Sequence, residues 1–343
     1  MTIVEGTVLR GPEYEPVEGR VVIGEHGRID AVEEANARSD DIVIPAFVNA
    51  HTHVGDAIAK DAGEGLSLAE LVAPPDGLKH RLLRSADRDE QVTAVRRTLS
   101  FMLSSGTTGC LDFREGGVAG VELLREAARG LPITALALGR ETVEAMEVGD
   151  GFGASSTNDG EFGTERAATR EAGKIFGIHA GEADSSDLNG ALDLDPDFLV
   201  HVVHPEPLHL ERIADREVPV VVCPRSNLVT DVGVPPVREL LDRTSVALGT
   251  DNVMLNSPDM FREMELTAKL TDVNAREVLR MATRAGAELA GLDSGVIEAG
   301  RPAQLTVLDG DSDNLTGTTN PVRAVVRRAG VADIRETIHE PGA

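Results

Sequence analysis

From residue 46 to about 290, short apolar runs alternate with longer stretches of mixed, helical character. The first run leads into His51 and His53. The others are TTGCLDF (107–113), PITALALG (132–139), GDGFGAS (149–155), KIFGIHA (174–180), FLVHVVH (198–204), PVVVCPR (219–225) and SVALGTD (245–251). The pattern predicts eight strands, with helices over 87–104, 117–129, 161–172, 206–216 and 236–243 and through PDMFREMELTAKL after the eighth. Eight strand and helix units in about 250 residues have the size of one (β/α)8 TIM barrel, whose chemistry sits at the C-terminal ends of the strands. The fourth strand is the weakest, a short run inside the Gly- and Ser-rich segment 148–163.

The two ends have another texture. TIVEGTVLR, VEGRVVIGEHGRIDAVE and DIVIPAF show β-branched alternation broken by Gly and Pro, and PAQLTVLDG, PVRAVVRRAG and ADIRETIHE repeat it near the C-terminus. The predicted organisation is an α/β chain with a barrel at 46–294 and a small β-sandwich domain formed from both termini, 1–45 and 295–343.

Composition narrows the picture. With 343 residues, 41% of them hydrophobic and 27% charged, the chain can build a large core without disulfides. Cys110 and Cys223 lie inside apolar runs and read as buried structural thiols. Net charge is −25, and of 33 basic residues only Lys60, Lys79, Lys174 and Lys269 are lysines. So acidic, lysine-poor and aromatic-poor a surface predicts adaptation to high salt, where screening removes self-repulsion. It also speaks against a nucleic-acid partner, which needs a basic footprint. The N-terminus lacks a basic stretch followed by a continuous apolar one, and no apolar run approaches the roughly 18 residues of a membrane span. No membrane contact and a cytoplasmic location are the expectation.

Polar residues now fall where a barrel keeps its chemistry. His51 and His53 end the first strand, His179 the fifth and Asp251 the eighth, while His201 lies near the end of the sixth. Alone, a His-X-His pair is either a metal half-site or two polar residues where a strand gives way to a loop. Alternation puts residues i and i+2 on one face, and His179 and Asp251 at matching strand ends complete a four-donor set. Three imidazoles and a carboxylate suit one divalent metal ion, Zn2+ first and Fe2+ as the alternative. Such an ion brings the pKa of a bound water close to neutrality. Glu182, three residues after His179, is placed to act as general acid. Strand parity separates His201 from His204, and the catalytic role falls to His201 and not to His204 or His209.

The segments FVNAHTH, HAGE, LVHVVH, CPRSN and LGTDN, in that order, resemble the amidohydrolase superfamily. More narrowly they resemble its metal-dependent aminohydrolase branch, which includes cytosine, guanine, S-adenosylhomocysteine and triazine-type deaminases. The resemblance implies that metal-bound hydroxide deaminates an amino-substituted N-heterocycle, a purine, pyrimidine or nucleoside-like small molecule. It implies His51, His53, His179 and Asp251 as ligands, Glu182 as proton shuttle, His201 as the group that polarises the substrate, and Asp251 as an acceptor of a water proton. Binuclear relatives often carry a lysine after the fourth strand; none stands here, which favours a single metal. Cyclic amide hydrolysis, as in imidazolonepropionases, is the nearest rival. An inactive binding barrel would be expected to lack a ligand or Glu182, and all six residues are present. The loop after the first strand is short and has no aromatic residue, and Gln304 stands where an aspartate is usual. Candidate substrate contacts are His80 in that loop, Arg114 and Glu115 past the second strand, and Arg225, Ser226 and Asn227 past the seventh, with Arg225 suited to a carboxylate or phosphate. A homodimer is a family-level expectation.

Overall fold

In the computed structural model, which describes residues 1–339, two sheets organise the chain. The chain starts as an antiparallel meander of β1 (Thr2–Arg10), β2 (Glu15–Ile23) and β3 (Ile29–Glu34). Then β4 (Ile42–Pro45) returns parallel to β1.

The second sheet is parallel and runs through the middle of the chain. Its strands are β5 (Phe47–His53), β6 (Thr107–Arg114), β7 (Thr134–Gly139), β8 (Gly151–Ala154), β9 (Ile175–Ala180), β10 (Phe198–His201), β11 (Val220–Val222), β12 (Val246–Leu248) and β13 (Asp251–Asn252), nine pieces at eight predicted places. The last two are one strand broken at Gly249 and Thr250. β12 pairs with β11, while β13 pairs with β5 through Asp251↔Thr52 and Asn252↔His53, so the two edges of the sheet meet. Asn49 fixes that seam: its Nδ2 donates to Thr250 Oγ1 (2.7 Å) and its Oδ1 accepts from Thr250 N (3.0 Å). Every residue of β5 and β6 is buried, as expected for parallel strands covered on both faces.

The glycines that made the fourth strand hard to read have a steric purpose. A Cβ on Gly153 would lie 2.6 Å from the Phe113 ring, and one on Gly177 would lie 2.2 Å from Phe198. β8 is poor in side chains because the aromatic interior needs the room.

Between β5 and β6 the chain forms a 3-10 turn at Val54–Ala59 and three helices, α1 (Leu68–Val72), α2 (Leu78–Ser85) and α3 (Arg88–Ser104), of which only α3 was foreseen. After β13, β14 (Leu305–Leu308) and β15 (Ile334–Ile338) join β4 to complete a six-stranded sheet of order β15-β14-β4-β1-β2-β3. Among the described residues strands from both ends thus share one sheet, and residues 340–343 of the predicted C-terminal part lie outside the described residues. No helix among them is long and apolar enough to cross a membrane.

Three strand expectations are corrected. PVRAVVRRAG contains a helix, Pro321–Arg327, because Asn320 caps Arg323 N and Val322, Val325 and Val326 recur at helical spacing to fill a buried face. The sixth strand ends at His201, where φ turns to 78° and then 47° at Val202. The seventh ends at Val222, since Pro224 opens a helix, Pro224–Val229.

Candidate metal centre

At the C-terminal end of the parallel sheet, His51, His53, His179 and Asp251 each offer one donor atom, all within 4.8 Å of one another. His51 Nε2 is 3.2 Å and His53 Nε2 3.6 Å from Asp251 Oδ1, and the Nε2 atoms of His53 and His179 are 3.4 Å apart. The opposite ring nitrogens of His53 and His179 are engaged elsewhere, while His51 Nδ1 is buried without a hydrogen-bond partner. His53 Nδ1 donates to Glu115 Oε1 (2.8 Å) and lies 3.1 Å from the Phe113 carbonyl, and His179 Nδ1 donates to the Ala154 carbonyl (2.8 Å). With Nδ1 protonated in both rings, two Nε2 lone pairs face each other beside a carboxylate, an arrangement that repels unless a cation lies between. Donors ~2.1 Å from a tetrahedral zinc would stand about 3.4 Å apart, close to the spacings here. The residues fit a divalent ion.

The electrostatics agree. Burial lowers the pKa of all three histidines, that of His53 to about 3 with help from Lys79, so the rings stay neutral and ready to ligate. Burial would raise Asp251, but the His51 hydrogen bond and the neighbouring imidazoles hold it well below the usual carboxylate range.

Glu182, His201 and Asp251 form a second cluster on the same spot. Glu182 Oε2 lies 3.6 Å from His201 Nε2, and burial pushes the Glu182 carboxyl up. Asn227 Nδ2 donates to His201 Nδ1 (3.1 Å), which leaves the imidazole proton on Nε2, facing Glu182. Ser226 Oγ donates to Asp251 Oδ2 (2.5 Å). His201 and Asp251 both have left-handed backbones, φ 78° and 58°, a conformation side chains other than Gly rarely adopt outside sites that require it.

The remaining candidates are placed differently from one another. Ser226, Asn227 and Glu115 touch members of the cluster, so their side chains are committed to orienting Asp251, His201 and His53. Arg225 turns away, bonding the Ser257 carbonyl and Asn256 Oδ1 and pairing with Glu263 at 3.6 Å. Arg114 is buried with its Nη1 4.0 Å from Asp112, packed where a Cβ on Gly55 would overlap it. His80 is half-buried and donates to the Val72 carbonyl. His204 is exposed and donates to Val232, and His209 Nδ1 accepts from Glu206 N; neither joins the clusters. Both cysteines are buried, and burial raises both thiols.

A cavity of about 250 Å3 opens over His53, His179, Glu182 and Asp251, roofed by Leu68 and Val72 of α1. It shares Pro74, Arg140 and Ser155 with a larger chamber of about 550 Å3, which His80, Arg114 and Phe162 also line. Sequence reasoning missed Lys79 and Arg140, both in contact with Glu115, and Asn49 and Asn252 at the seam. The one visible signal was that Lys79 is one of only four lysines in a chain whose basic residues are mostly arginine.

The chain is similar to known proteins over most of its length. The amidohydrolase family model matches residues 42–181 and 160–335. A protein of Methanothermobacter thermautotrophicus with a provisional aminohydrolase name is 39% identical over 356 residues, spanning 90% of this chain and 91% of that one. The 5-methylthioadenosine/S-adenosylhomocysteine deaminase of Halobacterium salinarum is 29% identical, spanning 98% of this chain and 90% of its own. In three dimensions the chain superposes on the zinc complex of atrazine chlorohydrolase from Arthrobacter aurescens with a TM-score of 0.83 at 20% identity, covering 100% of this chain and 97% of the other, a likeness of fold.

Proposed function

The chain belongs to the amidohydrolase family, and from that premise we propose that it deaminates an amino-substituted N-heterocycle, purine, pyrimidine or nucleoside-like, with His51, His53, His179 and Asp251 holding one divalent cation, zinc before iron. We read the parallel sheet as a (β/α)8 barrel and the sheet built from both ends as its β domain, with boundaries near residues 45 and 295. The observation that carries the function is the pair of overlapping clusters: four ligand atoms within 4.8 Å, and Glu182 and His201 facing them.

When bound, the cation supplies Lewis acidity, which lowers the pKa of a water at the site. The chain's own residues do the rest. Asp251, held ionised and fixed by Ser226, accepts a proton from the attacking water. Glu182, whose raised pKa lets it hold a proton closer to neutrality, donates it to the ring nitrogen, takes up the proton of the hydroxyl that the water leaves on the reacting carbon and passes that one to the departing amine; the proton accepted by Asp251 then restores the acid form of Glu182. His201, with its proton directed to Nε2, donates toward the oxygen that forms on the reacting carbon. The C–N bond breaks, a carbonyl forms, and ammonia leaves.

The name of the Halobacterium relative makes adenine nucleosides the first substrates to test. The assay is ammonia release from a panel of heterocycles in molar salt, with zinc-loaded and exhaustively chelated protein. Ammonia should appear only with metal. Release that persists after chelation would sink the reading, and acid formation without ammonia would indicate ring opening instead.

A further inference from the structure

The pocket over the clusters contains a charged side chain that the reaction above does not use. Lys79, on α2, is 2% exposed. Its Nζ lies 2.6 Å from Glu115 Oε1, 3.2 Å from Asn252 Oδ1 and 4.0 Å from Asp56 Oδ2.

Two of these contacts lead to different metal-ligand candidates. Glu115 Oε1 accepts from His53 Nδ1 at 2.8 Å, and Asn252 Nδ2 donates to Asp251 Oδ1 at 3.0 Å. One ammonium group therefore stands a single residue away from a ligand on β5 and from a ligand on β13, on either side of the seam. It also belongs to the cover. Leu68, Ala69 and Val72 of α1, Pro74 and Lys79 itself line the same cavity, and His80, the next residue, is tied to Val72.

The residue type fits this task. Only four of the 33 basic residues are lysines, and this one is buried. An ammonium is compact and can direct three donors at acceptors in different directions, whereas a guanidinium is a flat fork suited to one bidentate partner. Glu115, Asn252 and Asp56 come from three separate segments of chain. A neutralising charge for Glu115 alone would not need the Asn252 contact, because Arg140 already lies 3.3 Å from the same carboxylate oxygen.

We propose that Lys79 is a positioning residue that ties the cover segment 68–85 to the metal-ligand shell, so that cation binding and ordering of the cover are linked. The proposal rests on the metal reading above. A linkage of this kind is reciprocal: a bound cation steadies the cover, and a seated cover tightens the site.

The test uses the full chain in molar KCl. Zinc affinity is measured by chelator competition, and amide hydrogen exchange over residues 68–85 is followed with and without zinc, for wild type, K79M and K79R. In wild type, zinc should slow exchange in 68–85. In K79M, zinc should bind about 10–100-fold more weakly, the usual effect of losing a group that orients a ligand, and the zinc-dependent change over 68–85 should vanish. K79R keeps the charge but not the contact geometry, and should resemble K79M. Wild-type affinity and exchange response in either variant would overturn the proposal while leaving the metal reading intact; a wild-type protein that binds no zinc or iron would overturn both. If the Lys79 variants do not fold, N252A decides, since it removes the link on the Asp251 side: an unchanged exchange response there would refute the coupling.

Discussion

Half-buried Glu182 and fully buried Glu263 both have raised pKa values, yet their surroundings give them different consequences. Glu182 lines the pocket 3.6 Å from His201, where a proton can be passed on. Glu182→Gln should lower kcat by about 10²–10⁴-fold, the usual worth of a general acid, with metal content by atomic absorption unchanged if the proposed ligands His51, His53, His179 and Asp251 hold the ion. Glu263 is sealed against Arg225, and burial pushes it from 4.5 up to about 7. Between those values the native state binds more protons at this site than the unfolded chain. Its contribution to stability is therefore full below about pH 4.5 and lost as pH rises through about 7. Denaturant unfolding from pH 5 to 8 should show this loss in wild type, and Glu263→Gln should flatten that part of the profile. Five of the six residues of the clusters were legible because strand ends and i, i+2 parity fix both position and direction; Glu182, two residues past β9, was legible only by its spacing from His179. Beyond a strand end, direction depends on loop dihedrals that no spacing encodes. Ser226, Asn227 and Glu115 were found by position, but that they contact Asp251, His201 and His53 emerges only when β5, β9, β10 and β13 stand side by side.

Elements were legible where their periodicity was undiluted and obscure where steric demands replaced it. β6, β9 and β10 declare themselves as apolar runs; β8 hides because Gly151 and Gly153 make room for Ile175 and Phe113. The helix at Pro321–Arg327 was mistaken for a strand because valines carry β propensity, and its cap and the fit against the helices at Met260–Leu270 and Ala275–Ala282 outweigh that preference. The seam between β5 and β13 was invisible, since it depends on Asn49, which looks like any polar residue in a buried strand. Asn49→Ala removes both of its hydrogen bonds to Thr250 and leaves the Thr250 hydroxyl buried without that partner. The cost should be about 2–4 kcal/mol, seen calorimetrically as a fall of about 3–6 °C in the melting midpoint.

At the scale of the whole molecule, charge is the governing quantity. A net charge of −25 repels itself, and surface pairs such as Arg212–Asp193 and Arg20–Glu33 each return only about 0–1 kcal/mol. Screening has to supply the remainder: the Debye length is about 3 Å at 1 M salt and about 10 Å at 0.1 M. Thermal unfolding in KCl should accordingly show a midpoint that falls as salt is lowered from molar to about 0.1 M, with loss of the folded circular dichroism signal on dialysis into dilute buffer. The strand that brings Asp251 to the first edge of the sheet carries one more consequence. Asp251 lies 200 residues beyond His51, so as the chain leaves the ribosome the three histidines emerge well before the carboxylate. For that interval a nascent chain carries three of the four donors of the proposed set. The fourth donor of the proposed set arrives only with the segment that pairs with β5, so the donor set and the parallel sheet are completed together, before β14 and β15 exist to finish the other sheet.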